Sequence, residues 1–345
     1  MAFPDCIIIF KSIYLIVKVY RGRFILMSST KQQILTILRQ NKEVISGEKL
    51  ADSLEVSRTA IWKAIRELEK MGYQIEHLSN GYRYLTSDVL EKELISSQAL
   101  PTSSIFIKEE TNSTMDDAKV AAMDQQPTPA LFIAEKQLGG HGRFGRPFFS
   151  PTGQIYMSLL LTPNQTFEEL PQYTILAAVA VSLAIDHYTG KQTQIKWVND
   201  IYLDGKKICG ILSEATSDFE TGRIKHVILG CGINFSIPAQ SFPENIQTKA
   251  GAVFPQKNPQ VTRNQLIQLI WQYFFELLEA LPDKEYINIY RKKSFVLGKN
   301  VQFKQQGVTY SGKATEITDT GELIVQTEQE RKALSSGEIS LEAIY

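Results

Sequence analysis

Residues 194–215 read QIKWVNDIYLDGKKICGILSEA, and this stretch decides how the middle of the chain folds. Short apolar runs alternate with turn residues, first Asn199-Asp200 and then Asp204-Gly205, which predicts three consecutive strands joined by tight turns. The later stretch HVILGCGINF predicts a further, buried strand that ends at Asn234. Lysines flank the first turn, so several polar groups converge where strands of one sheet end. Small-ligand sites form at such places.

A glycine-rich loop precedes this region. The strand ALFIAEKQ leads into LGGHGRFGRPFFSP, residues 138–151, which holds four glycines together with Arg143 and Arg146. Glycines let backbone N–H groups approach a ligand closely and guanidinium groups bind anions, so we expect the loop to contact an anion, with phosphate as the first candidate. The spacing fits neither a Walker loop nor a dinucleotide fingerprint. An ordinary basic surface loop is the alternative.

The neighbouring segments complete an α/β pattern. SIFIKEETNSTMDDAKVAAM predicts a strand, a turn and a helix capped near Ser113 or Thr114, while IYMSLLLT and TILAAVAVSLAIDHY predict a buried strand and a buried helix. The later amphipathic helix NQLIQLIWQYFFELLEAL is expected to pack against the sheet. Beyond Gly298, alternation with turn signals at Gln306-Gly307 and Thr320-Gly321 predicts a small β-barrel, so the fold class is α+β and multidomain.

Residues 28–86 predict a winged helix-turn-helix. Apolar residues from Ile34 to Leu38 fall on one helical face, and Ser46 and Ser57 are placed to cap a second and a third helix. Two alternating stretches joined by Ser79-Asn80-Gly81 then predict a hairpin. This order of elements is typical of DNA-binding domains whose third helix enters the major groove.

Basic residues of this module favour DNA as its partner, because several would meet phosphates from one face. We expect Trp62 to lie in the core or at an interface rather than at bases. A small protein-interaction domain with solvated basic residues is the alternative. The expected DNA-binding residues are Ser57, Arg58, Thr59, Lys63 and Arg83.

Composition sets broad limits. The 345 residues are 43% hydrophobic, with 37 Lys+Arg against 37 Asp+Glu, which is ordinary for a soluble protein of two or three domains. Cys6, Cys209 and Cys231 form neither a C-x-x-C pair nor an even disulfide framework, which favours the reducing cytoplasm.

The first 27 residues are apolar, but Lys11 and Lys18 divide them into runs too short to span a membrane. Basic residues follow the apolar run, unlike the order in a signal peptide. We therefore predict residues 1–27 to be an extension outside the fold, with Met27 as a natural start and no stable membrane association. A short membrane-surface anchor is the alternative.

Four motifs together resemble those of the biotin protein ligases, specifically the bifunctional type that is also the biotin operon repressor. GGHGRFGR is similar to the family's G-R-G-R-x-G-R loop, KWVND to K-W-P-N-D, KKICGIL to K-x-x-G-I-L, and GCGIN to G-x-G-I-N. The resemblance covers about residues 28–345. It implies ATP-dependent formation of biotinyl-5'-adenylate, transfer of biotin to a lysine of a carboxylase carrier domain, and ligand-linked homodimers that bind operator DNA.

The resemblance also implies site residues. For biotin they are Ser113, Thr114, Met115, Gln137, His141, Gly142, Arg143 and Lys207. For ATP they are Gly140, Arg143, Arg146, Lys196, Asn199 and Asn234, with Asp200 as a ligand of Mg²⁺. Arg143, Lys207 and Lys196 are the expected catalytic residues, because attack of a carboxylate on the α-phosphorus of ATP requires neutralisation of charge.

The sequence departs from the family pattern at three positions. His141 replaces the first loop arginine, Val198 replaces the proline, and Met115 replaces a common asparagine. A neutral imidazole offers one hydrogen-bond donor where arginine offers five, which weakens the expectation that the intermediate is retained. Because Met115 replaces a common asparagine, we expect its contact with biotin to come from its backbone.

The expected domain boundaries are an extension (1–27), a winged helix (28–86), a linker (87–96), a ligase domain of the class II synthetase type (97–296) and an SH3-like domain (297–345). That last domain is expected to act as a lid or in docking of ATP or the carrier domain. Two alternative functions remain: a lipoate or octanoate ligase on the same scaffold, and a non-enzymatic biotin-sensing repressor.

Overall fold

The computed structural model describes residues 7–9, 16–20, 23–27, 29–41, 43–163, 170–217, 224–256, 260–305, 308–335, 337 and 339–341. The chain divides into two compact units, Met1–Val89 and Leu90–Tyr345. The division falls within the predicted linker, and Leu90 and Ile95 are already buried in the core of the second unit. Among the helices described, none is long and apolar enough to cross a membrane.

Three short strands open the first unit. Strands β1 (Ile7–Ile9), β2 (Ile16–Tyr20) and β3 (Arg23–Met27) pair antiparallel in that order. The rest of the predicted extension lies outside the described residues. That residues 1–27 are dispensable for the fold stays a prediction.

A helix-turn-helix follows, as predicted. Its helices are α1 (Thr30–Gln40), α2 (Gly47–Leu54) and α3 (Arg58–Lys70). The Ser46 and Ser57 hydroxyls accept hydrogen bonds from the backbone N–H groups of Lys49 and Ala60, so both predicted caps are confirmed. Apolar faces of the three helices, including Ile34, Leu50 and Ile61, form the core of this unit.

The wing is a hairpin of β4 (Ile75–Leu78) and β5 (Gly81–Tyr84). Gly81 pairs with Leu78, so the turn is centred on Ser79-Asn80 and not on Asn80-Gly81 as the sequence signal suggests. The reason lies in Ile45, which exchanges two backbone hydrogen bonds of 2.9 Å with Tyr82. A Cβ on Gly81 would lie 2.1 Å from the Ile45 carbonyl oxygen, so glycine serves this close approach.

The second unit is built on a seven-stranded mixed sheet of order β6-β7-β8-β12-β11-β10-β9, in which β6 and β7 are parallel and the other neighbours antiparallel. The strands are β6 (Ile105–Thr111), β7 (Ala130–Gln137), β8 (Ile155–Leu161), β9 (Gln194–Lys196), β10 (Asp200–Leu203), β11 (Lys206–Ser217) and β12 (Ile224–Ile233). The three strands predicted between residues 194 and 215 are therefore confirmed. The first turn covers residues 197–199 and not Asn199-Asp200, because Asp200 already pairs with Lys196 as the first residue of β10.

Helices cover both faces of this sheet. Helix α5 (Thr114–Met123) packs on one face against Phe132, Leu160 and Ile228, and α6 (Leu170–Thr189) packs on the other. The remaining helices are α4 (Lys92–Ile95), α7 (Glu244–Gln247), α8 (Arg263–Glu279) and α9 (Glu285–Lys293). Helix α8, which we predict to pack on the sheet, packs mainly on α6, because the apolar residues of α6 extend around the whole helix and accept a second layer.

The C-terminal part is all β, as predicted. Strands β13 (Asn300–Gln305), β14 (Val308–Ile317), β15 (Leu323–Gln326), β16 (Arg331–Leu334) and β17 (Ile339–Leu341) form an antiparallel sheet of order β16-β15-β14-β13-β17. The turn expected at Gln306-Gly307 lies outside the described residues. The Trp197 indole N–H donates to the Gly321 carbonyl at 3.0 Å and joins this sheet to the ligase domain.

A buried ion pair fixes the start of α8. Arg263 is 4% exposed, and its guanidinium binds both carboxylate oxygens of Glu135 on β7, at 2.7 and 2.9 Å. It also donates to the Gln154 carbonyl at 3.3 Å. This two-pronged geometry is specific to arginine.

Arg263→Lys is expected to lower the free energy of unfolding of the second unit by about 1–3 kcal/mol, because lysine keeps the charge but cannot bridge both oxygens. Urea denaturation of the full chain measures it. Arg331→Lys is the matched control, since Arg331 pairs with Glu316 on the exposed surface, where such pairs contribute about 0–1 kcal/mol. Equal losses of unfolding free energy in the two variants would contradict a special contribution of the buried Arg263–Glu135 pair.

Candidate active site and DNA-binding face

A cavity of about 240 Å³ opens on the α5 face of the sheet. Its walls come from the start of α5, the loop after β7, strands β8, β11 and β12, and the C-terminal domain. Most predicted ligand-binding residues line it: Ser113, Thr114, Met115, Gln137, His141, Gly142, Arg143, Arg146, Lys196, Asn199, Asp200 and Lys207. Their joint position in one cavity agrees with the sequence prediction, while their individual roles stay predictions.

Uncharged polar groups form one end of the cavity. The Ser113 hydroxyl caps α5 by accepting from the Met115 N–H, and the Thr114 N–H donates to the Gln137 side chain at 2.9 Å. Thr114 Oγ1 and Ser158 Oγ share a hydrogen bond of 2.8 Å. These bonds hold three side chains of different elements in fixed orientations, which a recognition site for a neutral polar group requires.

Glycines form the floor. Gly230 and Gly232 of β12 and Gly210 of β11 line the cavity, and Gly210 pairs directly with Gly232. A Cβ on Gly232 would lie 2.6 Å from the Phe148 ring, so only a bare backbone leaves room there. Sequence reasoning did not assign these residues to the site. Glycine at alternate positions of a buried strand was the available signal.

The loop between β7 and β8 satisfies some of its own backbone. The Gly142 N–H donates to the Arg146 carbonyl and the Phe148 N–H to the Gly140 carbonyl, both at 2.8 Å. These two amides are therefore not free for the anion we expected them to cradle, and the charge of the loop lies in its arginines. Gly140 does not line the cavity, so its contact with ATP stays a prediction.

Arg143 links this loop to the C-terminal domain. Its Nη1 donates to the Gly337 carbonyl at 2.7 Å, and its guanidinium lies 5.4 Å from the centre of the exposed Phe144 ring. Gly337 and Ile339 themselves line the cavity. Among the roles we expected for the C-terminal domain, this placement favours a lid, since the domain closes one side of the site.

Lysine and aspartate form the charged end. Lys207 Nζ lies 2.6 Å from Asp200 Oδ1, and both side chains remain partly exposed to the cavity. Asn199 is committed to structure, because its side-chain amide donates to the Ile211 carbonyl at 2.6 Å while the Ile211 N–H donates to the Asn199 carbonyl at 3.0 Å. Its side-chain oxygen and its second amide hydrogen are left for the predicted contact with ATP.

Asn234 does not line the cavity. It is buried at the end of β12, where its side chain donates to the Gly251 carbonyl at 2.8 Å and its backbone N–H donates to the Ile208 carbonyl at the same distance. These bonds hold the segment that follows β12 against β11. The predicted contact of Asn234 with ATP stays a prediction.

The two described cysteines fit packing roles. Cys209 and Cys231 are free thiols, and burial raises the pKa of Cys231 to about 12 and that of Cys209 well above its ordinary value. Neither therefore carries the thiolate that a nucleophile needs. Within the described ranges, no group of three or more His, Cys, Asp or Glu side chains is placed to hold a metal ion.

The predicted DNA-binding residues divide into two groups. Arg58, Thr59 and Lys63 are exposed on α3, and within the described part of the chain neither Arg58 nor Lys63 has a carboxylate partner. Ser57 uses its hydroxyl as the helix cap, and Arg83 is paired with Glu76 at 2.5 Å. Arg58 and Lys63 are thus available for phosphates, whereas Arg83 must first exchange its partner.

Comparison with known proteins supports all three domains. Family models match over residues 106–234 (Biotin/lipoate A/B protein ligase family), 30–83 (HTH domain) and 296–342 (Biotin protein ligase C terminal domain).

Two relatives match along most of their length. The Bifunctional ligase/repressor BirA of Bacillus spizizenii is 33% identical over 325 residues, covering 91% of this chain and 99% of that protein. The protein of the same name from Escherichia coli is 25% identical, covering 89% and 96%. Among solved structures, the biotin protein ligase from Aquifex aeolicus in complex with biotin and ATP matches with a TM-score of 0.59 and 25% identity, covering 69% of this chain and 98% of that one.

The Aquifex aeolicus structure covers 69% of this chain, whereas the Bacillus spizizenii relative covers 91% of it, a share that reaches into the winged helix, the ligase domain and the C-terminal domain. The chain belongs to the bifunctional ligase/repressor branch of the biotin/lipoate A/B protein ligase family.

Proposed function

We propose that this protein is an ATP-dependent biotin protein ligase that also represses transcription of biotin genes. It forms biotinyl-5'-AMP and transfers biotin to a lysine of a carboxylase carrier domain. One observation carries the enzymatic part: a single cavity joins an uncharged polar end, a glycine floor and a basic end. The Aquifex aeolicus ligase that shares this fold is described with biotin and ATP bound, which supports both substrates.

The polar end suits the ureido group of biotin. That group has two N–H donors and one carbonyl acceptor, and the Ser113, Thr114 and Gln137 side chains offer matching acceptors and donors. The glycine floor lets the Phe148 ring and the Met115 side chain pack directly on the sheet, and these two side chains would flank the fused rings and the aliphatic chain. The biotin carboxylate would then reach the basic end, where Lys207 lies.

Charge neutralisation is the main catalytic task. A carboxylate oxygen of biotin attacks the α-phosphorus of ATP, the new O–P bond forms and diphosphate leaves, so two anions must be held together. Arg143, Lys207 and Lys196 line this end of the cavity and supply positive charge. In the second step the amine of the carrier lysine attacks the biotinyl carbonyl carbon and AMP leaves.

Asp200 fits a role as ligand of Mg²⁺. Magnesium is held by one or two protein carboxylates together with phosphate oxygens. Among the described residues, Asp200 provides the carboxylate that lines the cavity. Its ion pair with Lys207 is made through Oδ1, so Oδ2 is the oxygen that would meet the ion. When bound, the ion would offset phosphate charge during the first step.

Incubation of the full chain with ATP, Mg²⁺ and isotopically labelled biotin, followed by mass detection of the adenylate, tests the enzymatic proposal. Parallel incubations with lipoate and octanoate test the alternative substrate class on the same scaffold. Binding of biotin without adenylate formation would leave a sensor and would refute ligation.

The first unit supplies the repressor function. Arg58 and Lys63 stand exposed on the helix that enters the major groove in winged helices. The free thiols of Cys209 and Cys231 fit action in the reducing cytoplasm, where operator DNA and carboxylases are both present.

Ligand-linked dimerisation is expected to tighten operator binding, since two winged helices held at a fixed spacing read two half-sites. Biotinyl-adenylate would order the loop around Arg143 before two protomers meet. We expect about 5- to 150-fold tighter dimerisation with a non-hydrolysable adenylate analogue, measured by sedimentation, and an equal gain in analogue affinity for the dimer. An unchanged dimer constant together with unchanged operator affinity would contradict the linkage.

A further inference from the structure

Trp62 is exposed on the recognition helix α3. Its side chain is 49% exposed, whereas Trp197 and Trp271 are 3% and 1% exposed. The sequence led us to expect Trp62 in the core or at an interface. The structure excludes the core, because α3 buries a different face, formed by Ile61, Ala64, Ile65 and Leu68. A large aromatic side chain left in water on a binding element points to a function in binding.

Arginines lie on both sides of this indole. Arg58 precedes Trp62 by four residues and Arg66 follows it by four, so the three side chains lie along one face of the helix. The Arg66 guanidinium lies 5.6 Å from the centre of the Trp62 ring. We call these residues the Arg58–Trp62–Arg66 stripe. Thr59 and Lys63 are exposed beside it.

The acidic residues of α3 are engaged within the first unit. Glu67 pairs with Lys31 at 2.9 Å, and Glu69 contacts Arg66 at 3.3 Å and His77 of the wing at 2.8 Å. Arg58 and Lys63 have no such partner within the described ranges. The surface around Trp62 is thus basic, and it complements a polyanion better than a second copy of this net-neutral chain.

We propose that Trp62 contacts base edges in the major groove of duplex DNA, with Arg58 at one flanking phosphate and Arg66 at the other once it exchanges Glu69 for the phosphate. The proposal rests on the repressor function proposed above and adds a specificity-determining residue to it. Trp62 is the fifth residue of α3, within the first turns that reach base edges in helix-turn-helix proteins. Its apolar ring fits the C5-methyl group of thymine, a feature presented in the major groove.

Fluorescence quenching of the unmodified full chain tests the contact directly. Because the other two tryptophans are buried, acrylamide should quench mainly Trp62, and Trp62→Phe should remove the quenchable part. The DNA probe is a duplex selected from a randomised library by the full chain saturated with the non-hydrolysable adenylate analogue. Saturation with this duplex should protect the quenchable fluorescence.

Affinity measurements distinguish sequence-specific recognition of bases from nonspecific electrostatic binding to DNA. Trp62→Ala should weaken binding of the selected duplex about tenfold while leaving binding of mixed-sequence duplex and adenylate formation unchanged. Replacing the contacted thymines with uracil should weaken binding by the wild-type chain and have little further effect on the variant. The exposed position makes both substitutions compatible with folding, which thermal unfolding of the first unit checks.

The outcomes distinguish this proposal from the repressor function. Selected DNA that binds without protecting Trp62 would overturn the contact and leave the repressor function standing. Failure to select any duplex would overturn both. Protection that follows protein concentration without DNA would assign Trp62 to an interface between two copies of the chain and would also overturn the proposal.

Discussion

Lys207→Ala is expected to lower the single-turnover rate of biotinyl-adenylate formation about a hundredfold or more, because removal of one preorganised charge at a reacting phosphate has effects of this size. Lys207 lines the cavity, and its amine forms an ion pair with the Asp200 carboxylate at 2.6 Å. The substitution removes a cation where two anions meet. Rapid-quench measurement of the adenylate gives the rate.

Lys206→Ala is the matched control. Lys206 is the adjacent lysine, but its amine donates to the Thr248 carbonyl and does not line the cavity. The control should keep a near wild-type rate. Equal losses in the two variants would show a general effect on β11, and near wild-type turnover by Lys207→Ala would refute the assignment of the basic end.

Arg143→Ala should lower the same rate at least about tenfold, equivalent to ~1.4 kcal/mol of transition-state stabilisation. The guanidinium also binds the Gly337 carbonyl, so its loss should loosen the C-terminal lid as well. Faster hydrogen exchange around residues 331–341 would report this second effect. An unchanged rate with unchanged exchange would contradict both roles.

A chain that starts at Ser87 is expected to keep biotin ligation but to lose specific operator binding entirely. The second unit has its own core, which already includes Leu90, Ile95 and Leu100, so removal of the first unit leaves that core complete. Specific binding exceeds non-specific binding by about 10³ or more, and all exposed residues assigned to DNA lie before the cut. Adenylate assays and operator titration of the same preparation measure both activities.

Removal of residues 1–27 alone is the control for this truncation. It should leave ligation and operator binding intact, because residues from Ile34 to Ile75 form a core that joins all three helices to the wing, among the residues whose burial is described. Operator binding by the chain that starts at Ser87 would refute the division of labour. Loss of either activity in the shorter truncation would assign a function to the extension.

Most secondary structure could be predicted because its signals are local. The caps at Ser46 and Ser57 act over three residues, and the turns at residues 197–199 and 204–205 join strands that are adjacent in sequence. The wing turn depends on a distant contact, since its register is set with Ile45, more than thirty residues earlier. The family motifs likewise located the cavity, because they lie at strand ends that meet in one sheet.

The roles of single residues could not be predicted as well. Asn199 and Asn234 carry motif signals for ATP, yet their amide groups donate to the carbonyls of Ile211 and Gly251. A side-chain amide looks the same in sequence whether it meets a ligand or a backbone carbonyl. The glycine floor was missed for a related reason. The need for glycine at these positions is visible only once the side chains that pack against them are known.

The sequence by itself determined the elements, their order and the family, because apolar periodicity, capping hydroxyls and turn residues act within a few positions of each other. Only the tertiary structure decided which groups are free to act. Arg143 meets Gly337 across 194 positions and Arg263 meets Glu135 across 128, while Trp62 stays exposed because the core of its unit is filled by the opposite face of α3. Such contacts depend on how separate elements pack, and packing follows from the shapes of many side chains at once rather than from any local pattern.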